Sequence, residues 1–163
     1  MAKIAVQPIG AGNSGIEWTL IGREEFSFSG AEKTTLYSEG VSVQDGKHTF
    51  FLLVRLTATV TATKTVSGYN YDKAGTASII VLGGNNYFTR TVEACAADTV
   101  GAVVSVSADE NNLFTIEGVR NDDSSSFEHT YKVKFNTSAY GTGVASGTLE
   151  VFAGKFKIEG ETL

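Results

Sequence analysis

The sequence predicts an all-β protein, an antiparallel β-sandwich of jelly-roll-like type with an irregular N-terminal arm. Three observations carry that expectation. Charged residues make up only 19% of the chain, and 18 glycines stand against a single proline. Thr, Val, Ser and Gly dominate at the expense of helix formers, which suits pleated surfaces and their turns. Long stretches alternate apolar and polar side chains with period two, the signature of a strand with one buried face. Candidate strands then recur roughly every ten to fifteen residues, separated by Gly/Asn/Asp/Ser clusters, as in a sandwich. At 163 residues the chain is long enough for one domain with a substantial core.

Residues 1–45 form a first zone, punctuated by Gly10, Gly12, Gly15, Gly22, Gly30 and Gly40. It reads as an arm or a set of added strands, too short to bury a core of its own. Within it, Ile16-Glu17-Trp18-Thr19-Leu20 and Glu25-Phe26-Ser27-Phe28-Ser29 alternate as strands do. Residues 46–163 form the regular β-sandwich domain. Its clearest element is His48 to Val66, where Leu56, Ala58, Val60 and Ala62 take one face and Thr57, Thr59, Thr61, Thr63 and Thr65 the other. That run exceeds the usual strand of about five or six residues, so it is expected to bend or to be shared between two sheets.

Shorter strands are expected at Ser78–Leu82, Tyr87–Ala94, Ala102–Ala108, Leu113–Val119 and Thr148–Ile158. A second strong one spans Ser126 to Asn136, with Phe127, His129, Tyr131, Val133 and Phe135 inward. Turns fall at Gly83–Asn86, Asp109–Asn112 and Asn121–Ser125. Glu93 to Thr99 is the one stretch read as able to form a short helix.

No catalytic signature of high specificity is present. Gly10-Ala11-Gly12-Asn13-Ser14-Gly15 has the G-x-G-x-x-G spacing of a dinucleotide loop. That motif needs a helix after it, whose free N–H groups meet the phosphates. Here the segment after Gly15 alternates as a strand, and Pro8 interrupts the lead-in, so the glycines read as hinge points in an arm. Asp109-Glu110-Asn111-Asn112 lacks the Gly and late Glu of a calcium loop and reads as a hairpin turn. His129 reads as a core histidine, and two histidines without a carboxylate or cysteine cluster make no metal site. Cys95, the single cysteine, reads as a small buried hydrophobe and can form no intrachain disulfide.

The formal net charge is −5, with the basic residues scattered, which argues against nucleic acid as a partner. Lys132 and Lys134, with Lys155 and Lys157, read as solvated strand faces. No apolar run approaches the roughly 18 residues that span a bilayer, and no cleaved export signal is read. A soluble chain made in a reducing cytoplasm, with no cofactor, no metal and no membrane partner, is therefore expected. An enzyme is the weakest option.

From about residue 48 to 135 the chain resembles a β-module of tailed-bacteriophage virion proteins. The residues that carry the resemblance are "HTFFLLVRLTATV", "TASIIVLGGNNYFTRTVEA", "VSVSADENNLFTIEGV" and the closing strand "FEHTYKVKF". Where members of that group often carry a Trp in the closing strand, the nearest aromatic here is Tyr131. The resemblance implies a non-enzymatic assembly role, typically as a homotrimer, in the virion and assembled in the host cytoplasm. Because the chain is short and has no long fibre segment, capsid decoration (cement) is the first expectation, with the major capsid protein or other virion proteins as partners. A tail fibre or baseplate component is the nearest alternative. A carbohydrate-binding β-sandwich is the alternative from another class, with Trp18, Tyr69, Tyr71, Tyr87 and Tyr140 as stacking platforms. Candidate interface residues are Gly10, Gly12, Gly15 and Trp18 in the arm, and Thr57, Thr59 and Thr61 on the hydroxyl face.

Overall fold

The computed structural model describes residues 15–45, 49–66, 73–83, 88–97, 99–108, 114–118 and 127–156. Among them lie ten strands and no α-helix. They are β1 (Ile16–Ala31), β2 (Thr35–Tyr37), β3 (Val41–Asp45), β4 (Phe51–Lys64) and β5 (Gly75–Gly83), followed by β6 (Phe88–Ala96), β7 (Val103–Ala108), β8 (Phe114–Gly118), β9 (Phe127–Thr137) and β10 (Gly141–Phe156). All pairings are antiparallel.

Two sheets result. Sheet A runs β1-β10-β4, and β4 then pairs with β7 and β8; sheet B runs β2-β9-β5-β6, with β3 also on β9. β2 and β3 lie end to end along one edge of β9, covering Asn136–Lys134 and then Tyr131–Phe127. β7 and β8 lie end to end along β4 in the same way. Counting each such pair as one interrupted strand gives eight strand positions. The sheets then read 1-8-3-6 and 2-7-4-5, the two interlocked Greek keys of a jelly roll. The predicted fold class holds.

The first zone of the sequence supplies β1, β2 and β3, so from Ile16 onward it is woven into both sheets. The 14-residue strand β4 stays within sheet A and is not shared between sheets. It is long because β10 accompanies it from Phe51 to Lys64 while two shorter strands divide its other edge. Glu93 to Ala96 is strand, not helix: β6 pairs with β5 through Gly75↔Ala96, and that pairing overrides the local alanine content. Val92, Ala94 and Ala96 point inward, which turns Cys95 to the partly exposed face and corrects its expected burial. His129 is buried on β9 as expected. β10 begins at Gly141, seven residues before the expected start at Thr148, since Gly141, Gly143 and Gly147 hide its alternation.

The core fills the space between the sheets. Leu52, Val54, Leu56 and Val60 of β4 face Val133 and Phe135 of β9 and Ile79 and Val81 of β5 within one apolar cluster. Phe28 stacks on Phe26 at 5.7 Å and on Phe135 at 5.5 Å between ring centroids. Towards the far end of β4 the side chains shrink to Ala58, Ala62, Ala77, Ala94 and Ala96. There the sheets close in: a Cβ added at Gly141 would lie 2.6 Å from the Gly75 Cα. Lys64 ends the buried face of β4, and its Nζ donates to the Ala97 carbonyl at 3.1 Å. The sandwich is a wedge, thick at the phenylalanine end and thin at the glycine end.

The break between β2 and β3 is a built feature. Ser38 donates its N–H to the Val133 carbonyl at 2.9 Å, and its Oγ accepts the Val133 N–H at 3.0 Å. One residue thus satisfies both groups of its neighbour while the chain bulges through Gly40, whose φ of +94° favours glycine. Ser38→Ala is expected to lower unfolding free energy by about 1 kcal/mol, the worth of leaving a half-buried N–H unmet. Urea denaturation monitored by far-UV circular dichroism checks it.

Candidate interaction face

The face of sheet A turned away from sheet B is tiled by short hydroxyl side chains drawn from four strands. Strand register sets the rows. Ser27 of β1 lies beside Ser146 of β10, which lies beside Thr59 of β4, which lies beside Ser107 of β7. The next row is Ser29, Val144, Thr61 and Ser105, and the one after is Ala31, Thr142, Thr63 and Val103. Thr59 Oγ1 and Ser107 Oγ are 3.0 Å apart, and Thr61 Oγ1 and Ser105 Oγ 2.8 Å. Cross-strand hydroxyl pairs of this kind hold side chains in fixed rotamers and each contribute a few tenths of a kcal/mol.

None of these three rows contains a charged side chain. Val144 and Val103 stand proud at 54% and 59% exposure. A shallow groove of about 290 Å³ opens on this face, lined by Thr57, Ala58, Thr59, Ser107, Ser146, Gly147 and Thr148. From strand spacing, the three rows from Thr59 to Thr63 across four strands measure about 14 by 13 Å between backbone axes. The outer face of sheet B differs, since Glu93, Glu128, Lys132 and Lys134 put charges of both signs there. Lys132 and Lys134 are on the solvated side, as read from the sequence.

Charges bound the hydroxyl patch at one end. Glu25 closes the row of Thr57, and one row further Arg23, Glu150 and Arg55 align across three strands. Arg55 donates to Glu150 Oε1 through Nε at 3.1 Å and Nη2 at 2.8 Å, with side chains 18% and 14% exposed. The guanidinium also sits 5.0 Å over the Phe152 ring. Beyond it lies a small second core of Trp18, Leu53 and Phe152, with Ile16, Leu20 and Phe51 packed against it.

The predicted interface residues therefore separate. Thr57, Thr59 and Thr61 do stand together on one outward face. Trp18 is 5% exposed, and a Cβ at Gly154 would meet its ring at 2.6 Å, so the indole lies flat over that glycine. Trp18 is a core residue in this fold rather than a surface platform. Gly15, with φ of +73° and open space where a Cβ would stand, precedes the first residue of β1. Gly10 and Gly12 lie outside the described residues, as do Tyr69, Tyr71, Tyr87, His48, the Asp109–Asn112 turn and the Asn121–Asp123 loop. Sequence reasoning missed the serines of β1, β7 and β10, which join the Thr ladder only through strand pairing. Among the described residues no group of His, Cys, Asp and Glu gathers as a metal site. No helix among them is long and apolar enough to cross a membrane.

No family model matches the chain, and no curated protein matches it. Similar solved structures include the carbohydrate-binding module TmCBM61 in complex with β-1,4-galactotriose. It has a TM-score of 0.32 and 13% identity, covering 83% of this chain and 88% of that one. The infectious bursal disease virus Gx strain structure has a TM-score of 0.31 and 16% identity, over 85% of this chain and 37% of that one. The Macrobrachium rosenbergii nodavirus P-domain has a TM-score of 0.30 and 6% identity, over 88% and 94%. Likeness at this level assigns no function.

Proposed function

We propose that this chain is a non-enzymatic structural protein of a bacteriophage particle, a capsid decoration protein that lays the outer face of sheet A against other virion subunits. The observation that carries the reading is the charge-free hydroxyl face on a chain of net charge −5. Acidic subunits repel, and a patch without charges lets surfaces approach without burying unpaired ions. Its hydroxyls can exchange water for polar groups of a neighbour while staying soluble when free. The jelly-roll order supports the reading by analogy alone, since that architecture recurs in capsid and lectin domains. Under this reading the protein is a homo-oligomer in the virion, and its other partner is the major capsid protein.

Capsids of the particle that encodes the chain, stripped and mixed with purified protein, are the test. Co-sedimentation with label distributed over the whole shell supports decoration. Label at a single vertex makes it a tail or baseplate component, and binding on a glycan array without particle binding makes it a carbohydrate module. A double charge insertion, Thr59→Glu with Thr61→Glu, is expected to weaken capsid binding at least tenfold, by placing unpaired charges in the contact. Both sites are outward, so the unfolding midpoint should stay close to that of the parent.

A further inference from the structure

The edge of sheet A formed by β1 carries a row of backbone groups whose direction can be read from hydrogen bonds. Glu32 N–H donates to the Gly141 carbonyl, so the backbone of the even-numbered residue there faces β10. Ala31 N–H instead donates to Thr34 Oγ1 at 2.9 Å, away from β10. Direction alternates along an antiparallel strand, and the register runs unbroken from Ala31 back to Gly22. Ser29, Ser27, Glu25 and Arg23 hence each present an N–H and a C=O to the open side of the sheet. Among the described residues β1 is the terminal strand of sheet A. Such an edge accepts an added strand unless it is blocked.

What an added strand must carry is set by the charges along the edge. On the outer face Arg23 and Glu25 neutralise each other at 2.9 Å, and neighbouring Glu150 is held by Arg55 at 2.8 Å. Glu24 points the other way, towards the seam between the sheets. It shares that face with Phe26 and with Gly22, where an added Cβ would stand 2.7 Å from Val43 Cγ1 of β3. Glu24 is partly exposed, yet its Oε2 is shut off from solvent and has no hydrogen-bond partner among the described residues. A carboxylate so placed loses hydration without recovering it from a neighbour, which costs stability in the free protein. An inward charge on an edge strand also turns away indiscriminate pairing. A second β1 cannot answer it, because the residues on Glu24's face of that strand are Gly22, Phe26, Phe28 and Gly30, none of them basic. A strand with a cation there is admitted. The backbone of Glu24 faces β10, so Glu24 and the residue opposite it form a non-hydrogen-bonded pair, the closer kind, with Cα atoms about 4.5 Å apart. Unlike charges directly opposed are favourable at such a pair and like charges are not.

We propose that the β1 edge docks an extended segment of another protein that carries a lysine or arginine opposite Glu24, with apolar side chains two residues to either side. The outward backbone groups of residues 23–29 supply affinity, and the half-buried carboxylate selects partner and register. The flanking positions are apolar because they lie opposite Gly22 and Phe26, on the core side. The inference is independent of the virion reading.

The probe is a fluorescein-labelled eight-residue peptide of alternating threonine and valine, with lysine in place of the third valine, titrated with the full chain and read by fluorescence anisotropy. Paired antiparallel to β1, it sets lysine opposite Glu24 and valines opposite Gly22, Phe26 and Phe28. It is expected to bind at least tenfold more tightly than the same peptide with glutamine in place of lysine. Glu24→Gln should abolish that preference without lowering the unfolding midpoint, since it removes an unpaired charge and keeps the shape. Ser27→Pro removes one outward N–H and leaves the pairing with β10 intact, so it should weaken the lysine peptide at least tenfold. Failure of the lysine peptide to bind would reduce Glu24 to a guard of the edge and overturn the proposal. Equal binding of the glutamine peptide, or binding that neither substitution changes, would overturn it too. So would a dimer of the chain alone in sedimentation equilibrium that Ser27→Pro dissociates, since a second copy would then fill the edge.

Discussion

Phe135→Ala is expected to lower the unfolding free energy by about 3–5 kcal/mol, close to the whole stability of a marginal domain. Phe135 is fully buried near the C-terminal end of β9 and stacks on Phe28 with rings 11° from parallel. The hole left by the ring cannot collapse readily, because the wall opposite is backbone. A Cβ added at Gly143 would stand 3.2 Å from the Phe135 Cζ, so β10 already touches the ring. Loss of the aromatic stack adds to the transfer and cavity costs. Urea unfolding followed by tryptophan fluorescence and by circular dichroism should show a lower midpoint with an unchanged slope. A loss below about 1 kcal/mol would mean that the sheets move together to fill the space, contrary to a tightly packed wedge.

The opposite error, too much volume, has its largest effect at the thin end. Gly141→Val is expected to cost about 3 kcal/mol or more, at the upper end of overpacking penalties. Its first added carbon would meet the Gly75 Cα at 2.6 Å and the Thr63 carbonyl oxygen at 2.7 Å. Both obstacles are backbone, so no side chain can rotate away, and β5 or β4 must shift. Thr142→Val, one residue along on the outward face, serves as the control and should change stability by less than about 0.5 kcal/mol. Thermal unfolding of the pair of variants measures the contrast. Equal midpoints would show that the sheets are not in close contact at this end.

Legibility in the sequence followed locality. β4 and β9 were readable because each alternates apolar and polar side chains along its own length, and the hydroxyl ladder came with β4. β10 was half-hidden, since glycines at 141, 143 and 147 carry no pattern even though they point where packing is tightest. In β1 the pattern misled. Trp18, Leu20, Phe26 and Phe28 are all even-numbered, as if on one face. The register shift between Leu20 and Gly22 turns Trp18 into the second core and Phe26 and Phe28 into the first. An indole that sequence reasoning offered as a surface anchor is thereby consumed in packing. The serine partners of the Thr ladder lie 44 to 87 positions away in sequence, and no local pattern announces which strand will lie beside which.

The pairing of β1 with β10 has a further consequence, for the order in which the molecule can come together. Among the described residues β1 has no neighbour in its sheet other than β10, against which it lies from Ile16↔Phe156 to Ala31↔Thr142. During synthesis its phenylalanines emerge before their partner strand, more than 100 residues ahead of it. The ribosome therefore releases an unsatisfied strand that waits while those residues are added, at about 5–20 residues per second. Such closure by distant segments makes folding slow for the chain's size. Interval-labelled hydrogen exchange should find β1 and β10 gaining protection together, after the β5–β6 hairpin.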